Sequence, residues 1–180
     1  MKKLLPLLIL LFAVPSIAQI AKPTPERELS KLEQFSAKSG SLFEKRFEPI
    51  GTVKGVKIEI YTLTDLVVGT KISGLRIEAD VYASYGSSTK TAVLDADEID
   101  GLIKSIMLMQ SDVFPTTKDV YTEIKYQSRG GFEAGAYYAD KKWTAFLKLE
   151  KYDSHSMVDM KPESFGELLT VLQKAKEKLK

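Results

Sequence analysis

The 180-residue sequence predicts an α+β fold in which a unit of four strands followed by one helix occurs twice. Apolar and polar residues alternate along several short segments, a pattern typical of half-buried strands. Two amphipathic segments, 95–106 and 161–172, carry matching apolar stripes at a constant offset of 66 residues. We therefore expect a ββββα-ββββα chain: an antiparallel sheet with two helices on one face, plus a short N-terminal helix.

The first 18 residues are typical of a secretory signal peptide. Lys2 and Lys3 precede an apolar run that ends at Pro15, and Ser16 and Ala18 supply small residues at the cleavage site. The run is shorter than the roughly 20 residues that span a bilayer, which argues against a membrane anchor. We expect cleavage after Ala18, no membrane span afterwards, and a periplasmic or secreted location.

The cysteine content and the net charge of the chain exclude several kinds of site and disfavour some partners. The absence of cysteine excludes disulfides, thiolate metal sites and a lipidated cysteine. The 26 basic and 24 acidic side chains become 24 of each when Lys2 and Lys3 leave with the signal peptide. A neutral mature chain has no overall field that would attract nucleic acid or an anionic membrane.

Residues 19–44 predict a linker and a short helix. Pro23 and Pro25 disfavour regular structure, and the helix is expected from about 25 to 38. This helix either docks on the domain or lies loosely beside it. A single α+β domain is expected over 45–180, as two repeats of about 45–112 and 113–180.

Alternation along the chain predicts the strands of both repeats. They are expected at 43–53, 56–63, 75–84 and 90–94, and at 120–127, 132–138, 143–149 and 156–160. Pro49 favours an edge position for the first of them. Turns are expected at 85–89, 128–131 and 140–142.

The first long helix begins with a capping box, in which Asp95 is the N-cap and Glu98 lies three residues later. Its apolar stripe is matched position by position in the second helix. The matched residues are Ile99, Leu102, Ile103 and Ile106 with Phe165, Leu168, Leu169 and Leu172. The same offset aligns Ile58 with Ile124. Gly101 predicts a close approach of the helix to the sheet.

This element order resembles the whirly or mitochondrial guide-RNA-binding type of single-stranded nucleic-acid-binding fold. The resemblance covers roughly 45–180 and lies in topology, without a shared residue motif. It implies the architecture and makes single-stranded nucleic-acid binding one function to consider. The neutral mature charge argues against that function.

The sequence carries no complete catalytic or metal-binding motif. The acidic segment 95–100 does not fit a calcium loop, because Ile99 and Asp100 stand where a ligand and a glycine are needed. His155 is the only histidine, so an imidazole metal site and a catalytic triad both lack partners. We expect no metal, no cofactor and no enzyme. A carboxylate pair for glycan hydrolysis stays open as an alternative.

One constellation points to binding. Tyr121, Tyr137 and Phe146 fall on the helix-distal side of their strands, with Lys125 and Lys148 nearby. Such an aromatic patch stacks on bases or sugars, or anchors a protein interface. It could instead only stiffen the sheet, or be covered by the N-terminal helix.

We therefore expect a non-catalytic binding or assembly module whose partner is a protein or a second copy of the chain. The alternatives are a periplasmic glycan hydrolase and a single-stranded nucleic-acid-binding protein.

Overall fold

The architecture comes from a computed structural model, which describes residues 28–83 and 86–179. It contains two four-stranded antiparallel sheets, each followed by a helix, and a short N-terminal helix. The predicted α+β class with a duplicated ββββα unit is confirmed. The predicted signal peptide (1–18) and the linker prolines lie outside the described residues.

The strands of each sheet lie in chain order, and every neighbouring pair is antiparallel. The first sheet contains β1 (Phe43–Val53), β2 (Val56–Asp65), β3 (Lys71–Ala83) and β4 (Gly86–Asp95). The second contains β5 (Thr122–Gln127), β6 (Glu133–Ala139), β7 (Lys142–Lys148) and β8 (Met157–Met160). The helices are α1 (Lys31–Ser36), α2 (Ile99–Leu108) and α3 (Ser164–Lys178). None of the helices in these ranges is long and apolar enough to cross a membrane.

Both sheets and the two long helices share one apolar core. The helix that follows each sheet also packs against the other sheet: α2 contacts β5 and β6, and α3 contacts β1 and β2. The two predicted stripes lie in this core, where Leu169 alone is only partly buried. Met109 extends the stripe of α2, whereas Met107 is exposed. Burial of each such side chain contributes about 1.5–3 kcal/mol.

Two predictions about the strands are wrong: the alignment of the two repeats and the turn at 85–89. Ile58 lies in the second strand of its sheet and Ile124 in the first strand of the other, so the offset of 66 does not align equivalent strands. The predicted turn 85–89 is mostly strand, because β4 begins at Gly86 and pairs there with Ala83. The exposed serines and threonine that follow Gly86 give no alternating pattern to read.

The interior of α2 also differs from expectation. A Cβ placed on Gly101 would meet only Tyr126 Cε2, at 3.5 Å, which is an ordinary contact. The helix therefore does not need a glycine there in order to approach the sheet.

Helix α1 docks on the outer face of the first sheet, which decides between the two alternatives left by the sequence. It is shorter than predicted, because Ser30 caps it in a capping box with Glu33. The Asp95 carboxylate accepts hydrogen bonds from Lys31 N at 2.8 Å and Leu32 N at 3.1 Å. The backbone N–H groups of Lys31 and Leu32 have no partner within α1, and the carboxylate at the end of β4 accepts from both.

The apolar face of α1 completes this contact. Leu32 is buried against Tyr61 and Leu63, and Phe35 packs beside them. A Cβ on Gly74 would lie 2.5 Å from Leu32 Cδ1, so the glycine makes room for the leucine. The first outer face is therefore a covered surface over the length of α1.

Candidate functional site

The five residues predicted to form a patch line a single cleft of about 340 Å³ on the outer face of the second sheet. Strand register explains the grouping. Lys125 of β5 stands opposite Gly135 of β6, which in turn stands opposite Phe146 of β7. Tyr137 stands two residues along β6 and so shares the same face. Antiparallel pairing thus collects side chains that are up to 27 positions apart in the sequence.

The aromatic side chains form a continuous row from Tyr121, the residue before β5, across β6 to β7. The ring centroids of Tyr121 and Tyr137 are 6.4 Å apart with an interplanar angle of 25°, and those of Tyr137 and Phe146 are 6.3 Å apart at 34°. Tyr121 is 65% exposed, whereas Phe146 is 3% exposed. The row therefore has a buried end and an end that is open to solvent.

Gly135 lies against the ring of Phe146, at the buried end of the row. A Cβ at this position would lie 2.8 Å from Phe146 Cζ and 2.5 Å from the Ile124 carbonyl oxygen. The phenyl ring occupies the space that a side chain on Gly135 would fill. The site therefore depends on a strand position without a side chain.

Two lysines and two glutamates line the same cleft, so its charged side chains balance. Lys125 Nζ lies 2.9 Å from Oε1 of the buried Glu133, and this hydrogen bond raises the pKa of Lys125. The Tyr121 hydroxyl donates to Glu123 Oε2 at 3.1 Å, which raises the pKa of Tyr121. Lys148 Nζ donates to the Lys151 carbonyl oxygen at 2.9 Å.

The cleft includes residues that the sequence reasoning did not select. Met157, which is 41% exposed, stands opposite Lys148 on β8, and Ser154 lies in the turn before that strand. The Tyr137 hydroxyl lies 3.4 Å from Asp159 Oδ2. The alternation along β8 places Met157 and Asp159 on one face, and this signal could have identified both.

The arrangement suits recognition through an apolar surface with polar edges. Each glutamate in the cleft already accepts a hydrogen bond from a neighbouring lysine or tyrosine. Among residues 28–83 and 86–179, no group of three or more histidine, aspartate or glutamate side chains could hold a metal ion. His155 is exposed and lies 3.4 Å from Asp153, its neighbour in the same turn.

Comparison with protein-family models, with curated proteins and with solved structures found no match to this chain. The topological resemblance to the whirly type of fold therefore stays a prediction.

Proposed function

We propose that this chain is a non-catalytic binding module, and that the outer face of its second sheet takes a protein partner. The observation that supports this is the contrast between the two outer faces. Helix α1 covers part of the first, where Leu32 and Phe35 pack against it. The second carries the aromatic row and an open cleft, with Tyr121 65% exposed.

The composition of the face favours a protein over other partners. Tyrosine, phenylalanine and methionine are enriched at the centres of protein interfaces, where they are surrounded by a charged rim. Tyr121, Tyr137 and Met157 supply such a centre here. A phosphate backbone would need a surplus of cations, which the balanced charges of this cleft do not provide.

A second copy of the chain is one partner that fits. A twofold interface brings the same patch of both copies together, so the patch must be complementary to itself. The cleft offers Lys125 and Lys148 together with Glu123 and Glu133, so opposite charges can face one another across a twofold axis. The exposed ring of Tyr121 would then pack against the partner's cleft.

The test removes the exposed aromatic rings and keeps the buried one. Tyr121→Ala combined with Tyr137→Ala strips the open end of the row, whereas Phe146 is left alone because its loss would open a cavity. Tyr82→Ala is the matched control, since Tyr82 is 86% exposed on the first sheet.

We expect the double variant to weaken partner binding at least about tenfold, because tyrosine is enriched among the interface residues whose truncation costs about 2 kcal/mol or more. The control should bind like the parent chain. Mass by light scattering over a concentration series reports self-association, and quantitative pull-down from envelope extract reports another protein. If the double variant keeps both its mass and every captured protein, the proposal is wrong.

A further inference from the structure

A second and larger cleft, of about 610 Å³, opens on the inner face of the first sheet beside the end of α3. The inner face is apolar where the helices cover it, at Ile60 and Leu75. Beyond that point the same face becomes polar, at Thr62, Thr64 and Ser73. The cleft therefore lies beside the packed core, and its polar side chains do not contribute to core packing.

The strand register arranges part of this lining as a row. Arg46 of β1 stands opposite Thr62 of β2, which stands opposite Ser73 of β3. Side chains directly opposite one another have Cβ atoms about 4.5–5.5 Å apart. A guanidinium and two hydroxyls thus point into the same cleft from three adjacent strands. The next row runs from Glu44 of β1 through Thr64 of β2 to Lys71 of β3.

The charge of the cleft is one-sided. Arg46, Lys71 and Lys178 line it, and Glu48 is the one acidic residue among the described residues of its lining. Glu48 is paired with Lys178. Within the described part of the chain, Arg46 and Lys71 form no ion pair. Among the described residues that line the cleft, Arg46 and Lys71 therefore have no acidic partner. Glu44 lies on the same face of β1, in the row of Lys71, and forms no ion pair with either cation within the described part of the chain. Lys178 offsets the negative end of the α3 dipole at the rim of the cleft.

The hydroxyls can donate as well. The Thr62 and Ser73 side-chain oxygens are 2.8 Å apart, so one donates to the other and the second keeps a free proton. A guanidinium binds two oxygens of one oxyanion through parallel N–H bonds, and a hydroxyl donor can satisfy a third. This donor set matches a phosphate group better than a neutral ligand.

We propose that this cleft binds a phosphorylated small molecule, with its phosphate held by Arg46, by the hydroxyl pair of Thr62 and Ser73, and by the charge of Lys71. A phosphate monoester carries about −1.5 to −2 charges at neutral pH, which matches the two uncompensated cations. The cleft volume falls in the range of small-molecule sites, about 300–1,000 Å³, so it holds more than the phosphate alone. This cleft lies on the first sheet, whereas the aromatic row lies on the second.

The experiment is titration calorimetry of the mature chain with inorganic phosphate, glucose 6-phosphate and glucose as probes. Arg46→Gln removes both the positive charge and the paired N–H donors of the guanidinium. Arg46→Lys keeps the charge and removes the paired donors. Lys45→Gln is the matched control, because Lys45 is the neighbouring residue, stands opposite Leu63 on the other face of β1, and changes the net charge equally.

We expect glucose 6-phosphate to bind more tightly than inorganic phosphate, and glucose not to bind. Arg46→Gln should weaken binding of the sugar phosphate at least about tenfold, as expected for a charge-assisted bidentate contact. Arg46→Lys should recover part of the loss, and Lys45→Gln should stay within about twofold of the parent. Equal losses in Arg46→Gln and Lys45→Gln would mean attraction by net charge only and would overturn the proposal. The absence of saturable phosphate binding would overturn it too.

Discussion

Replacing Gly135 with alanine tests whether the aromatic row needs a strand position without a side chain. The added Cβ would lie 2.5 Å from the Ile124 carbonyl oxygen and 2.8 Å from both Lys125 Cβ and Phe146 Cζ. All three distances are below the 3.0 Å that real Cβ contacts respect, so β5 or the phenyl ring must move. Overpacking of this kind costs about 1–3 kcal/mol. Alanine recovers about 0.5–1 kcal/mol, because glycine is disfavoured inside a strand.

The expected net loss is about 1–2 kcal/mol of unfolding free energy. Urea denaturation followed by circular dichroism should show the midpoint lowered by about 0.5–1 M, with an unchanged slope. Gly101→Ala is the matched control, because Gly101 is exposed on α2 and the nearest described atom to its added Cβ is Tyr126 Cε2, at an ordinary 3.5 Å. That change should stabilise the chain by about 1 kcal/mol. The reasoning fails if Gly135→Ala unfolds at the parent's urea concentration.

Two further predictions concern the contacts that hold the helices in place. Asp95→Ala leaves Lys31 N and Leu32 N without their acceptor and removes the ion pair of Asp95 with Arg129, so we expect a loss of about 3 kcal/mol and faster amide exchange in α1. Asp97→Ala removes only ion pairs of a half-exposed carboxylate, with Lys31 and Arg129, and should change stability little. Equal effects of the two changes would contradict the docking of α1 through Asp95. Burial raises the pKa of Tyr126 to about 12, so the folded chain holds this proton more tightly than the unfolded chain does. Its contribution to stability is fully present below pH of about 10 and is lost as the pH rises towards 12. The urea midpoint of Tyr126→Phe should therefore fall less steeply with pH over that range than the midpoint of the parent chain. Equal pH dependence of the two midpoints would contradict this role of Tyr126.

The features that could be predicted from the sequence are those set by neighbouring residues. Alternation identified most strands, and the capping box of Asp95 with Glu98 located the start of the turn that leads into α2. The grouping of Tyr121, Tyr137 and Phe146 followed from the same alternation. It needed only the assumption that consecutive strands pair as hairpins.

The features that were missed depend on contacts between distant residues. The Asp95 carboxylate also holds the start of α1, more than 60 positions earlier in the chain, and an aspartate carries no local sign of such a partner. The division into two sheets and the packing of each helix on the opposite sheet are likewise global outcomes. The cleft beside α3 was missed because Arg46 and Ser73 look like ordinary solvent-facing residues until strand register brings them together.

The most direct test of the binding face is site-specific photo-crosslinking. A benzophenone amino acid in place of Tyr121 would sit at the open end of the aromatic row, and the same residue in place of Tyr82 would sit on the exposed surface of the other sheet. We predict a discrete adduct from position 121, either a dimer or one other protein. It should be competed away by excess parent chain but not by the Tyr121→Ala, Tyr137→Ala variant. No adduct at 121, or the same adducts from both positions, would contradict a binding role for this face.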